Sequence, residues 1–205
     1  MIIAGVLVDE SASSALKKLG VKDSKMLFHA TRKKLAMEIE LISKDIDIIT
    51  LSPAEIDHVV INSFNLNKLE AVTMAKIVNN LTEKTKDKVK IYIDCPSVNI
   101  EVWKGYLLEH ITNKENKEFI VEHKADVNYP AVSAASIMAK VRREYEVEKL
   151  KKELDIDFGS GYPSDPLTVS WLKENHEEYR KYGIIRESWS TFKNLKKENR
   201  QKKLF

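Results

Sequence analysis

The sequence predicts an α/β protein, in which a mixed sheet flanked by helices is followed by a helical C-terminal part. Apolar segments of strand length alternate with helical patterns over the first two thirds of the 205 residues, and the last third has helical patterns alone. Such alternation within one chain is typical of α/β folds. We therefore expect a sheet-containing core over residues 1–130 and a helical part with a basic tail over residues 131–205.

The first part of the core is predicted to be two strands separated by two helices. Residues 2–8 (IIAGVLV) are continuously apolar, which is typical of a strand buried on both faces. A short helix is expected over residues 11–19, and Thr31 is predicted to cap a second helix. Residues 46–51 are the next strand. The second helix has an apolar face formed by Leu35, Ile39 and Ile42.

The rest of the core is predicted to begin with two helices. Ser52 and Glu55 have the spacing of a capping box and predict a helix that ends near Asn62. A longer helix should cover residues 66–84. Residues 89–93 (VKIYI) predict a strand that leads directly into Asp94. A helix over residues 98–111 and a strand over residues 118–121 complete the core.

A short loop at residues 123–126 is expected to precede the helical part. A long helix with small residues near its start is predicted over residues 131–154, followed by a glycine-rich loop at residues 158–163. Ser164 or Asp165 should cap a further helix that continues to about Tyr182, and the basic tail is expected to be helical.

Composition excludes several classes of protein. The single cysteine, Cys95, excludes an internal disulfide and a cysteine-based zinc site, and it fits a reducing compartment. No apolar run approaches the ~18 residues of a membrane helix. We expect a cytoplasmic protein without a membrane segment, and a monomer. The net charge of +3 is too small to indicate a nucleic-acid partner.

Two acidic residues follow predicted strands. Asp94 ends one strand and Asp126 lies shortly after the next. Most such acids are helix caps or solvated turns. If both strands belong to one sheet, however, the two carboxylates converge at one edge, where oxygen ligands suit Mg²⁺ or Mn²⁺.

Several ordered segments resemble the motifs of the ribonuclease HII family. The segments are LGVKDSK at 19–25, NLN at 65–67, YID at 92–94, EHKAD at 122–126, VSAASI at 132–137, FGSGYPSDP at 158–166 and RESW at 186–189. Their order and their spread over nearly the whole chain are more specific than any one short motif.

The resemblance implies a ribonuclease-H-like fold and cleavage of RNA that is paired with, or embedded in, DNA. It implies that Asp94 and Asp126 are catalytic, metal-binding carboxylates for Mn²⁺ or Mg²⁺, in a two-metal mechanism that leaves 5′-phosphate and 3′-hydroxyl ends. By the same resemblance Tyr162 contacts the nucleotide at the RNA–DNA junction, and Lys25 and Lys124 lie close to the nucleic acid.

The chain departs from the family pattern at its start. The family begins with a central strand that ends in an Asp-Glu-Ala-Gly-Arg-Gly motif, and residues 1–8 instead resemble the second family strand. In a second possible alignment Asp9 and Glu10 are the two acids, but it leaves no sequence for the second strand. We prefer the first alignment, which omits the central strand and two metal-binding acids.

This departure predicts impaired activity. Without a central strand, unpaired backbone groups and apolar faces are exposed, so we expect poor solubility and little or no cleavage. The departure has three explanations: an internal methionine taken as the start, a deletion, or a lineage that lost catalysis. The first is the most economical. The rival function is a non-catalytic nucleic-acid-binding protein of the same fold.

The last five residues, QKKLF at 201–205, faintly resemble the start of a sliding-clamp-binding peptide, although the usual second aromatic residue is absent. They predict at most a weak contact with a sliding clamp. A basic tail that happens to end in two apolar residues is the simpler interpretation.

Overall fold

A computed structural model describes residues 1–21, 27–62 and 65–202, with side chains described as far as residue 196. The strands within these ranges are β1 (Ile2–Leu7), β2 (Asp45–Thr50), β3 (Val89–Asp94) and β4 (Lys117–Glu122). The helices are α1 (Glu10–Lys18), α2 (His29–Ile42), α3 (Pro53–Ile61), α4 (Leu66–Thr82), α5 (Ile100–Glu109), α6 (Ala125–Asn128), α7 (Pro130–Leu154), α8 (Pro166–Tyr179) and α9 (Ser190–Lys202). Two short 3₁₀ turns cover Lys114–Asn116 and Arg180–Tyr182. The predicted α/β class is confirmed.

The chain forms two compact units. The sheet unit comprises Ile2–Thr50 and Asn67–Arg143, and the helical unit comprises Met1, Leu51–Leu66 and Glu144–Phe205. All four strands therefore belong to the sheet unit. The domain division at residue 130 stays a prediction.

The strands of the sheet unit pair two by two. β1 is antiparallel to β2, with Ile3 opposite Ile49, and β3 is parallel to β4, with Asp94 opposite Glu122. Within the described residues each sheet has two strands, so β1 and β3 each pair along one edge only. Only Ile3 of β1 is fully buried, and the other β1 residues are half-buried. The expected burial on both faces is therefore met at one of the six residues of β1.

Two apolar clusters stabilise the sheet unit. The cluster around β3 consists of Ala71, Ala75, Val78, Ile91, Ile93, Cys95, Trp103, Leu107 and Ile111. The cluster packed against β1 and β2 consists of Leu16, Val21, Ala36, Ile39, Ala134, Ile137 and Met138. α4 also approaches β1 closely, since a Cβ at Gly5 would collide with Ile77 and lie 2.8 Å from Leu81. Glycine at this position therefore allows α4 to pack on the strand.

Local signals account for several helix starts. The predicted capping box is confirmed: the Ser52 hydroxyl accepts the Glu55 N–H at 3.2 Å, and the Glu55 carboxylate accepts the Ser52 N–H at 2.7 Å. Asp165 caps α8 by accepting the Leu167 N–H at 3.0 Å. The prediction that Thr31 caps α2 is wrong. The helix begins three residues earlier than this cap implies, at His29, after extended Phe28, which makes no side-chain cap bond.

A buried carboxylate joins α3 to the RESW segment inside the helical unit. Asp57 accepts the backbone N–H groups of Glu187 at 2.6 Å and Ser188 at 2.9 Å, and it is only 8% exposed. The Glu187 side chain is in turn held by both ends of the Arg180 guanidinium and by Lys196 at 3.5 Å. The hydrogen bonds from Arg180 lower the pKa of Glu187. The RESW segment is therefore anchored by charge-assisted hydrogen bonds.

Over the described part of the chain, no helix combines the length and apolar character needed to cross a membrane.

Candidate active site

Asp94 lies at the carboxyl end of β3, directly opposite Glu122 of β4. Its half-buried carboxylate accepts the backbone N–H of Ala125 at 3.3 Å. This hydrogen bond joins residues 31 positions apart and closes the end of β3 onto the first residue of α6. The parallel pairing of β3 and β4 is what brings these segments to the same sheet edge.

Asp126 is the second residue of α6, which corrects its predicted place in a loop. The side chain is 9% exposed, and no hydrogen bond to its carboxylate is present among the described residues. Because the Asp94 carboxylate accepts the N–H of Ala125, the residue before Asp126, the backbone that carries Asp126 lies beside the carboxyl end of β3. Carboxylate oxygens are ligands that hard cations such as Mg²⁺ and Mn²⁺ prefer.

The ends of the two strands are joined by further contacts. The Cys95 N–H continues the ladder to the Glu122 carbonyl at 2.9 Å, and the His123 ring nitrogen lies 3.2 Å from the Cys95 carbonyl. The Cys95 thiol is buried, and burial raises its pKa. These contacts give His123 and Cys95 structural roles at the edge of the site.

A polar and aromatic network, not predicted from the sequence, surrounds Glu122. Its carboxylate accepts the Asn128 side-chain amide at 2.7 Å and the Tyr129 hydroxyl at 3.4 Å. The Tyr129 ring stacks on Tyr92 of β3 with ring centroids 4.2 Å apart. The position of Glu122 at the end of a predicted strand could have indicated a functional role. Its hydrogen-bond partners could not be predicted in the same way, because they belong to the turn that follows.

Lys124 has a positive φ of 57° between Glu122 and Asp126, and its side chain is exposed. A left-handed conformation is uncommon for a residue other than glycine, and it occurs often at functional sites. Lys124 therefore stands in a left-handed turn two residues before Asp126. Lys25, the other predicted nucleic-acid contact, lies outside the described residues.

The two acids are not accompanied by further ligands in the residues that the structure describes. Within these residues, no three His, Cys, Asp or Glu side chains lie close enough to hold a metal ion together. Asp9 caps α1 by accepting the Ala12 N–H at 2.9 Å. That bond is the largest of several causes that lower the pKa of Asp9 to about 2. Its carboxylate is therefore engaged in the helix cap.

The glycine-rich loop around Tyr162 belongs to the helical unit and is held by its own hydrogen bonds. Gly159 and Gly161 both have φ of 72°, a conformation that favours glycine. The Gly161 N–H donates to the Thr168 hydroxyl at 2.9 Å, and Thr168 donates to the Phe158 carbonyl at 2.8 Å. Tyr162 lies in this hydrogen-bonded loop and is 45% exposed.

The ionised carboxylate of Asp165 stabilises this loop. Its carboxylate accepts the Ser160 N–H at 2.6 Å, and this bond is the main reason that its pKa is lowered to about 2. A depressed pKa means that the carboxylate stabilises the loop fully above the unfolded pKa, near 4. The contribution is lost as the pH falls through the folded value of about 2.

We expect the Ser160 amide resonance in ¹H–¹⁵N NMR spectra to titrate with a midpoint near pH 2, because protonation of Asp165 weakens the hydrogen bond. The Asp165→Asn variant should lack this titration. A midpoint near pH 4 in the unmodified chain would show that the Ser160 contact does not stabilise the ionised carboxylate.

A model of the family described as ribonuclease HII matches residues 1–192. Ribonuclease HII of Pyrococcus furiosus is 42% identical over 204 residues, which cover 99% of this chain and 87% of the relative. The crystal structure of ribonuclease H2 from Pyrococcus horikoshii has a TM-score of 0.77 and 35% identity, with 98% of this chain and 99% of that chain covered. Ribonuclease HII of Archaeoglobus fulgidus, solved in complex with PCNA, has a TM-score of 0.79 and 38% identity, with 95% and 88% covered. The chain is thus a member of the ribonuclease HII family of endoribonucleases, with the ribonuclease-H-like fold.

Proposed function

We propose that this chain provides part of a divalent-metal site for cleaving the RNA strand of RNA–DNA hybrids, including single ribonucleotides embedded in DNA. The observation that carries the proposal is the hydrogen bond from the Ala125 N–H to Asp94. It brings the strand-end acid to the turn that contains Asp126, a residue that is only 9% exposed. Family membership supports the nucleic-acid substrate.

The donor set fits Mg²⁺ or Mn²⁺, since both are hard enough to be bound through one or two carboxylates and retained water. Two acids are fewer than a two-metal site needs. We propose that a further strand carrying two acids pairs along the free edges of β1 and β3. The separation of the described strands into two two-stranded sheets supports this arrangement.

In the proposed reaction, Asp94 and Asp126 would hold a divalent cation, which when bound would supply positive charge to activate water and stabilise the leaving oxygen. The water oxygen attacks phosphorus in line, and the bond from phosphorus to the 3′ oxygen breaks. The 3′ oxygen takes up a proton, so the products carry a 5′-phosphate and a 3′-hydroxyl. No side chain is covalently modified.

The contacts with the substrate are proposed for three residues. Lys124 contacts a phosphate, which suits an exposed ammonium group next to the acids. Tyr162 packs against the nucleotide at the RNA–DNA junction, where the 2′-hydroxyl distinguishes RNA from DNA. Lys25 is proposed as a second phosphate contact by family resemblance alone.

The test is cleavage of a labelled DNA duplex containing one ribonucleotide, with Mn²⁺. The 205-residue chain is compared with a form extended by a strand that ends in Asp-Glu-Ala-Gly-Arg-Gly. We expect cleavage by the extended form and little or none by the 205-residue chain, because two metal ligands are then missing. Duplex binding without cleavage by both forms would favour the non-catalytic alternative, and full activity of the shorter chain would refute the proposed impairment.

We also propose a weak contact between the last five residues and a sliding clamp. The supporting observation is that the Archaeoglobus fulgidus relative was solved in complex with PCNA. Residues 203–205 of the predicted segment lie outside the described residues. Pull-down of the clamp by the chain with and without residues 201–205 tests this contact.

A further inference from the structure

We propose that Glu122 is a positioning residue, which holds the turn that carries Asp126 by accepting hydrogen bonds from Asn128 and Tyr129. The inference rests on the proposed function, because it assigns a role to a residue beside the proposed metal site. Glu122 is distinct from the predicted ligands Asp94 and Asp126.

The geometry closes the turn at its base. Glu122 is the last residue of β4, and its two carboxylate oxygens accept donors from the residues just after Asp126. The Asn128 amide lies 2.7 Å from Oε1, and the Tyr129 hydroxyl lies 3.4 Å from Oε2. Glu122 on one side of residues 123–127 therefore contacts Asn128 and Tyr129 on the other side. The enclosed segment includes Lys124 and Asp126.

Tyr129, which donates to Glu122, also contacts β3 and α7. Its ring stacks on Tyr92 of β3, with an interplanar angle of 25°. Its backbone carbonyl accepts the N–H groups of Val132 at 3.0 Å and Ser133 at 3.1 Å, in the first turn of α7. Burial raises the pKa of the Tyr129 hydroxyl, so it remains a proton donor at neutral pH. Glu122 is thus linked to β3, β4 and α7.

The turn needs this support because its own structure is weak. α6 has four residues, far fewer than an isolated helix needs for stability. Lys124 precedes it in a left-handed conformation and makes no side-chain cap bond. Asp94 secures one end of α6 through the Ala125 N–H, and Glu122 secures the other. Metal affinity depends strongly on groups that orient the ligands in this way, by 10- to 100-fold in typical sites.

The contacts favour positioning over direct ligation. Both carboxylate oxygens of Glu122 accept hydrogen bonds from neutral donors. A neutral glutamine retains one acceptor for Asn128 and can donate to the Tyr129 oxygen, so it preserves the closure without the charge.

The test is Mn²⁺ binding to the 205-residue chain by isothermal titration calorimetry. We expect Glu122→Ala to weaken binding about 10-fold and Glu122→Gln to remain within about threefold of the unmodified chain. Glu118→Ala is the matched control, because it removes an exposed acid from the same strand. Equal weakening by the glutamine and alanine variants would contradict positioning, as would an unaltered affinity of the alanine variant.

Amide hydrogen exchange provides a second readout that does not require metal. The protected groups are the N–H of Val127, bonded to the Lys124 carbonyl, and the N–H of Tyr129, bonded to the Ala125 carbonyl. Both should exchange faster in Glu122→Ala and at the normal rate in Glu122→Gln. If the 205-residue chain binds Mn²⁺ too weakly to measure, as the two missing ligands would allow, the exchange rates alone decide whether Glu122 holds the turn. Unchanged exchange in the alanine variant would overturn the inference.

Discussion

Replacement of Asp126 by asparagine in the extended, cleaving form is expected to reduce cleavage of the one-ribonucleotide duplex by more than about 100-fold. Asparagine has nearly the same shape but no negative charge, so the effect on folding should be small. Loss of a group that contacts the metal should exceed the 10- to 100-fold cost typical of groups that only orient ligands. Asp94→Asn should have a similar effect, because both carboxylates are proposed ligands.

The measurement is the single-turnover cleavage rate at saturating Mn²⁺, together with duplex binding in the absence of metal. Duplex binding should change little, which separates loss of chemistry from loss of the substrate contact. Glu118→Gln is the matched control, since it removes a charge from exposed β4 surface and should leave the rate unchanged. A rate for Asp126→Asn within threefold of the parent would exclude Asp126 from the metal site.

Replacement of Asp57 by alanine is expected to lower the free energy of unfolding by about 3 kcal/mol, because hydrogen bonds to charged groups contribute roughly 1.5–3 kcal/mol each. The variant removes the acceptor for the N–H groups of Glu187 and Ser188. It also leaves these groups without their partner in the helical unit. Urea denaturation followed by tryptophan fluorescence measures the effect, since Trp189 lies in the same segment.

Glu178→Ala is the control for this prediction. It removes an exposed acid from α8 in the same unit, and it should change the free energy of unfolding by less than about 0.5 kcal/mol. If Asp57→Ala were as stable as this control, the RESW segment would not depend on α3 for its anchorage.

The elements best predicted from the sequence are those whose signals are local. The capping box of Ser52 and Glu55 involves residues three apart, and it forms as expected. The strand that leads into Asp94 was recognised from its own apolar pattern. The start of α2 was misplaced at Thr31, because the helix begins after Phe28 without a capping side chain. A residue type that favours the N-cap is a weak signal for the start of a helix, because some helices begin without a capping side chain.

In the candidate site, too, the sequence predicted only part of what the structure contains. Asp94 and Asp126 were identified from their strand-end context and family motifs, and their roles stay predictions. The short helix α6 and the Glu122 network were not predicted. Each depends on contacts between residues far apart in the sequence, which local sequence patterns do not predict. These contacts are Asp94 with Ala125 and Tyr92 with Tyr129.

The amino-acid sequence was sufficient for the α/β class, the family and most helix and strand positions, because periodicity, caps and ordered motifs are properties of neighbouring residues. The three-dimensional arrangement was required for the burial of Asp126, the anchoring of RESW by Asp57 and the pairing of the four described strands two by two. These features arise from pairing and packing between distant segments. Their energies depend on which polar groups lose water and which partners replace it.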